Sequence, residues 1–254
     1  DAFLESTPLG QFQQSSKGAR VKALEGWNAR RMTLESDGRL QGGAQVLWKQ
    51  TRFGRIGFVN KGPVLRQEAG DQVQIALERL GHLARELKLA AVIAQPPDLS
   101  TIATAQLTRN GFSPWPFPGI TDATAVVDLS GGRGGLDWRM NRRTRQEGRQ
   151  AVKRGVTVRS GARADLHLFF DLMVGSCRRQ NTSPNPGRVE VLEAIWDCFQ
   201  PRVHVAFARI HEEDVAGLFM IGFGQRCTFW KKGWNSREAA AHANCLLIIE
   251  ALGW

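Results

Sequence analysis

Tyrosine is absent from the 254 residues, against 13 phenylalanines and 8 tryptophans, so any aromatic lining of a site must come from those two types. Cysteine is scarce. Cys177, Cys198, Cys227 and Cys245 lie 21, 29 and 18 residues apart, none forms a CxxC pair, and only His242 lies near a cysteine. That spacing argues against a zinc site, and no metal is expected. Cys177, Cys198 and Cys245 sit in apolar surroundings and read as free core thiols in a reducing compartment. The five histidines, His82, His167, His204, His211 and His242, are scattered. GxSxG, HExxH and Walker motifs are missing, which disfavours hydrolase, metalloenzyme and P-loop NTPase chemistry. The longest strongly apolar runs, 89–94 and 215–223, fall far short of the ~20 residues that span a bilayer. No charged-then-apolar signal segment opens the chain. It starts at Asp1 without a Met, so the natural start is expected upstream.

What is present fits a folded globular protein. Apolar residues make up 42% and mean hydropathy is −0.29, values that rule out disorder and fibres. A chain this long buries roughly three quarters of its unfolded surface and needs no staples. Lys and Arg number 34 against 24 Asp and Glu, a net charge of +10.

The first half predicts a helix over 13–24 and strands over 27–35 and 43–50 around the hairpin turn Ser36-Asp37-Gly38. A strand over 55–60 then ends at Lys61-Gly62-Pro63. A long helix follows, capped by Asp71 with Gln74 three residues on, its stripe made of Val73, Ala76, Leu77, Leu80, Leu83, Ala84 and Leu87. A buried strand over 89–94 ends at Pro96-Pro97, and a helix over 100–109 and a strand over 124–129 complete this half. Four glycines within 130–135 read as a linker, so domains are expected at 1–130 and 131–254. The second half opens with a basic helix over 136–154 and a strand over 156–159. Helices over 164–179 and 188–199, strands over 203–210, 215–223 and 226–232, and a closing helix over 239–254 follow. The halves resemble weak copies: each has a hairpin, a glycine in its second strand (Gly43, Gly217), a Lys-Gly pair (Lys61-Gly62, Lys232-Gly233) and then a helix.

The sharpest local feature is the run 139–154, where Arg139, Arg142, Arg143, Arg145, Arg149, Lys153 and Arg154 face Glu147 alone, a net of +6. On a helix, Arg142, Arg145, Arg149 and Lys153 share one face. Like charges in a row repel, and a solvated face normally mixes signs. A polyanion such as the phosphates of a nucleic acid is therefore a fitting partner, weighed against a merely solubilising face. The run Phe229-Trp230-Lys231-Lys232-Gly233-Trp234 could stack a base or sugar and hold a phosphate, or it could be a strand with alternate side chains in the core. Lys22 and Lys61 are lone lysines, and Arg178-Arg179 could simply complement a helix dipole.

The basic run from Met140-Asn-Arg-Arg-Thr-Arg through Lys153-Arg-Gly-Val156 resembles the basic helix of the Fem family of peptidoglycan interpeptide-bridge aminoacyltransferases. Leu9-Gly-Gln-Phe-Gln-Gln-Ser-Ser16 through Lys22, Asn60-Lys-Gly-Pro-Val64, and Asn244-Cys-Leu-Leu247 with Glu250-Ala251 resemble further family segments in the same order. The resemblance implies an α/β (α+β) fold of two GNAT-like domains, each a mixed sheet flanked by helices. It implies a cytoplasmic, monomeric transferase that moves an amino acid from aminoacyl-tRNA to the side-chain amine of a peptidoglycan precursor's stem peptide. Such a protein serves cell-wall biogenesis and cell shape, uses no cofactor, and touches the membrane surface at most peripherally. By position, Lys22 and Arg178-Arg179, with Arg179 the better match, resemble residues that hold the precursor's diphosphate. Lys61 lies in the matching cleft turn, Gln95 stands where the family has an acidic residue before proline, and Trp230 or Phe229 substitutes for cleft tyrosines. Arg142, Arg143, Arg145, Arg149 and Lys153 are the expected tRNA contacts.

The family continues past its last helix into a segment with a lysine implicated in catalysis, so this chain is expected to be truncated at Trp254, and the catalytic group is unassigned. An acyl-CoA-dependent GNAT enzyme is the alternative, against which stands the lack of a Q/R-x-x-G-x-G/A turn: Arg145-Gln-Glu-Gly148 fails at its last position. A non-catalytic protein that binds RNA or an anionic precursor is the third reading.

Overall fold

The computed structural model describes residues 1–114, 123–132, 134–135, 140–236 and 241–254. The chain divides into two compact units, Asp1–Thr124 with Phe223–Arg226, and Ala125–Gly222 with Cys227–Trp254. Each holds one sheet flanked by helices.

Unit 1 opens with α1 (Ala2–Ser6), a 3-10 turn at Phe12–Gln14, and α2 (Ser16–Ala23). The helix expected from residue 13 starts later because Ser15 is extended and caps α2, its hydroxyl accepting from the Gly18 N–H at 3.0 Å. Strands β1 (Asn28–Ser36), β2 (Arg39–Thr51), β3 (Gly54–Asn60) and β4 (Val64–Leu65) lead to α3 (Gly70–Glu86), β5 (Leu89–Gln95) and α4 (Thr104–Arg109). The sheet order is β1-β2-β3-β5, with β4 paired to β2. The β3–β5 pair is parallel and the rest antiparallel. On α3, Val73, Ala76, Leu77, Leu80 and Leu83 are buried. They pack on Leu34, Ala44, Val46, Val59 and Leu65.

Three expectations are corrected here. Asp71 is not the cap of α3: the helix starts at Gly70, Asp71 lies in its first turn, and Gln74 bonds Glu78 and Asn110 instead. An acid in that turn still complements the helix N-terminus. β5 is not a fully buried strand, because it lies at the end of the sheet order and exposes Ala90 and Ala91. Residues 124–129 form no strand: no strand pairs with them among the described residues, and Val126 and Val127 stay half exposed.

Unit 2 contains α5 (Arg142–Lys153), β6 (Thr157–Ser160), α6 (Leu166–Arg179), α7 (Val189–Phe199), β7 (Val203–Ile210), β8 (Glu213–Phe223), β9 (Arg226–Trp234) and α8 (Ala243–Ala251). Its sheet runs β6-β7-β8-β9. β7 and β8 are buried on both faces, which explains their near-continuous apolar sequence. Ala206, Ala208, Ala216 and Leu218 face a core shared with Ala151 of α5 and Leu246 and Leu247 of α8. On the other face, Phe219 meets Phe169 of α6 with ring centres 5.7 Å apart. Leu136, Arg139 and the start of the closing helix at Ala239 fall outside the described residues. The four cysteines are free, but Cys177, Cys198 and Cys245 are only partly buried and so are not core thiols. The first two sit near the ends of α6 and α7 and the third on a half-exposed flank of α8, where the packing is incomplete.

The suspected repeat extends to the register. Asp37 and Gly38 turn the first hairpin with φ 51° and 68°, and His211 and Glu212 turn its counterpart with 47° and 66°, the paired positive φ of a type I′ turn. Each hairpin has one irregularity at the same offset past its turn, leaving Gln41 and Val215 unpaired. Gly43 and Gly217 then pair with Thr33 and Phe207, at matching distances from the two turns.

Candidate functional site

The turn after β3 is the most constrained part of unit 1. Lys61 adopts a left-handed conformation, φ 57°, before the cis Gly62–Pro63 bond. The Gly62 N–H donates to the Gln95 carbonyl at 2.9 Å, and Asn60 lies opposite Gln95 in the parallel pairing. Lys61 and Gln95 are thereby brought to one end of the sheet. Three glutamines support this turn. The Gln14 amide donates to the Asn60 carbonyl at 2.6 Å and accepts from the Gln45 N–H at 2.7 Å. The Gln45 side chain donates to the Gln13 carbonyl at 3.1 Å and accepts from Arg31 Nε at 2.9 Å. A Cβ on Gly62 would lie 2.8 Å from the Gln14 amide, so a side chain there would displace Gln14 from its bonds to the turn.

Lys61 is 8% exposed, and its Nζ sits 2.5 Å from Asp98 Oδ1. Burying either charge alone would be costly, and each offsets the other. Asp98 is the residue that the sequence reading missed. Gln95 is no carboxylate, but Gln95-Pro96-Pro97-Asp98 carries the chain to an acid three residues on, and a lone Asp in a loop gives no periodic signal. Lys22, on α2, pairs with Glu25 at 2.5 Å and stays partly exposed.

In unit 2, Arg178 and Arg179 end α6 and are both exposed. Arg179 donates through Nη2 to the Trp234 carbonyl of β9. Gly233 allows this approach, since a Cβ there would lie 2.3 Å from the Met173 nitrogen. Trp230 is half-buried, edge-on to Phe219 at 5.8 Å, with Lys231 Nζ 5.3 Å from its ring centre. Lys232 lies over Trp234 at 5.2 Å. One edge of Trp230 thus belongs to the core while its face carries a cation.

Helix α5 is capped by Asn141, whose Oδ1 accepts from the Thr144 N–H at 2.8 Å. Gly148 and Ala151 are its buried residues, and a Cβ on Gly148 would lie 2.7 Å from Ile249 Cδ1 of α8. The small residues set a close helix seam. Arg142, Arg149 and Lys153 point away from it, exposed and without an ion-pair partner among the described residues. Arg145 is half-buried and Arg143 pairs with Glu147 at 2.8 Å. That hydrogen bond holds the Glu147 carboxyl below the usual carboxylate range. The sequence Arg145-Gln-Glu-Gly148 lies inside α5, where its amides serve the helix, so it makes no anion-binding turn.

Among the described residues no group of three His, Cys, Asp or Glu side chains could hold a metal ion. No helix among them is long and apolar enough to cross a membrane.

Residues 1–111 match the FemAB family model, and residues 139–254 match an acetyltransferase (GNAT) domain model. The lipid II:glycine glycyltransferase of Staphylococcus aureus strain MRSA252 is 28% identical over 233 residues, covering 87% of this chain and 52% of its own. This chain therefore spans about half the length of the curated relatives it matches. The crystal structure of FemX superposes with a TM-score of 0.78 at 18% identity, covering 99% of this chain and 82% of that one. A protein of unknown function from Bacteroides thetaiotaomicron VPI-5482 gives a TM-score of 0.56 at 12% identity, covering 93% and 76%. These two likenesses establish the shared fold.

Proposed function

We propose that the chain is a Fem-type acyltransferase of peptidoglycan synthesis, moving an amino acid from aminoacyl-tRNA to the side-chain amine of a precursor's stem peptide. The observation that carries this reading is the similarity to lipid II:glycine glycyltransferase across 87% of the chain. The cation stripe of α5 supports a tRNA donor, because Arg142, Arg149 and Lys153 leave their charge available to phosphates. Arg143 and Arg145 would add contacts, Arg143 by releasing Glu147. Lys22, Arg178 and Arg179 are proposed phosphate contacts of a lipid- or nucleotide-linked precursor, with Trp230 a wall for its sugar or peptide.

The chemistry asks little of the protein. An aminoacyl ester is already activated: a neutral amine attacks its carbonyl carbon, the carbon–oxygen bond to the tRNA ribose breaks, and the proton lost from the amine ends on the departing ribose hydroxyl. The protein must orient the two and stabilise the oxyanion. Lys61, held by Asp98, and Gln95 fit as positioning groups at the sheet end. We place the work on the cytoplasmic side, where charged tRNA is found.

The test mixes labelled aminoacyl-tRNA with the protein and a muropeptide acceptor, beside a parallel reaction with labelled acetyl-CoA. Label reaching the acceptor only from tRNA is expected. Label from acetyl-CoA alone would move the protein to ordinary GNAT chemistry. Silence in both, with the complete natural protein, would leave a binding protein.

A further inference from the structure

The β2–β3 end of unit 1 carries rings and cations that the transfer reaction does not use. Phe53 stands at the apex of the turn and is 72% exposed. The Arg52 guanidinium lies 4.6 Å from its ring centre. On one side of the sheet Arg55 covers Trp48 at 4.9 Å and donates to the Leu87 carbonyl at 3.1 Å. On the other, Lys49 Nζ lies 4.7 Å over Trp27, whose ring is 6.5 Å from Phe58. Lys88 is exposed at the same end, next to Leu89, which pairs with Arg55. Leu24 adds a further exposed apolar group. The nearby acids are occupied, Glu25 by Lys22 and Glu86 by Arg30. Lys49, Arg52, Arg55 and Lys88 have no carboxylate partner among the described residues.

We propose that this end of unit 1 docks on the surface of an anionic lipid bilayer, with Phe53 entering the headgroup layer and the four cations meeting lipid phosphates. An exposed aromatic at a convex tip, ringed by basic side chains, suits a polar–apolar boundary, where tryptophan and phenylalanine settle and basic residues add attraction. A nucleic acid suits it less. Base stacking needs open ring faces, and here Arg52, Arg55 and Lys49 each cover one. The proposal is independent of which donor or acceptor the transferase takes.

Vesicle partitioning tests it. The protein is mixed with phosphatidylglycerol-containing vesicles and, separately, with pure phosphatidylcholine vesicles. Because the chain is basic throughout, the informative comparison is between variants. Wild type is expected to bind the anionic vesicles and not the neutral ones. Phe53→Ser keeps every charge and should weaken partitioning about tenfold, with Phe53→Leu restoring most of it. Lys49→Glu with Arg52→Glu should weaken it more, while Arg149→Glu with Lys153→Glu on α5 should weaken it less. Transfer to a water-soluble acceptor should be unchanged in Phe53→Ser, which separates this proposal from the transferase reading. Should Phe53→Ser misfold by circular dichroism, the charge variants carry the test. Hairpin variants that bind vesicles like wild type would overturn the proposal, as would hairpin variants that lose only tRNA affinity, which would make the patch a nucleic-acid surface.

Discussion

At Lys61 two costs meet in one residue: a left-handed backbone and a buried ammonium. Asp98 offsets the second. Removing the carboxylate alone, in Asp98→Asn, is expected to cost about 3 kcal/mol in denaturant unfolding, because it strands a buried cation. Lys61→Met with Asp98→Leu should recover most of that loss, since it leaves no buried charge behind. His204 makes a second prediction at this scale. Its ring stacks on Trp254 with centres 5.0 Å apart, and burial lowers its pKa below the usual 6.5. The unfolded chain then binds the proton more readily than the folded one. Stability should be full above about pH 6.5 and fall as the pH drops below it. His204→Phe should flatten the slope of unfolding free energy between pH 5 and 7, where histidine titrates. The candidate site was only partly legible at this scale. Lys61 and Gln95 stood out only through the family resemblance, whereas Asp98 became visible only when the fold placed it beside Lys61.

At the scale of elements, periodicity settled the helices that have one wet face. Five of the seven stripe residues predicted for α3 are buried, and α5 carries small residues on one side and cations on the other. The same two faces predict opposite outcomes for substitution. Arg142→Glu, Arg149→Glu and Lys153→Glu together should lower tRNA affinity at least tenfold and reduce its salt dependence, with thermal unfolding unchanged. Ala151→Leu should do the reverse, costing roughly 1–3 kcal/mol by overfilling the seam with α8, with exposed cations left in place. Strands were harder to read, because apolar runs look alike whether central or lateral. Residues 89–94 and 215–223 are both apolar, yet β5 lies at a sheet edge while β8 is buried on both faces. Residues 124–129 have strand composition but form no strand, and no strand pairs with them among the described residues. A strand exists only where another supplies its hydrogen bonds.

At the scale of the molecule, the division into two compact units predicts that unfolding departs from a single two-state transition. Leu80→Ala empties part of the core of unit 1 at a cost of about 3 kcal/mol. Hydrogen exchange should then show lost protection in β2 and β3, while β7 and β8 keep theirs. Equal loss in both units would mean one cooperative core.

The sequence by itself indicated most of the helices and strands, a resemblance to one family and a helix with a cationic face. These depend on short-range patterns: turn residues with positive φ, helical stripes and runs of like charge. The tertiary structure alone decided that Lys61 is neutralised by Asp98, that Arg179 bonds the Trp234 backbone, and that Trp27, Trp48 and Phe53 gather with cations at one end of unit 1. Each joins residues brought together by strand pairing or loop closure, and no local pattern encodes a contact whose partners lie tens of residues apart.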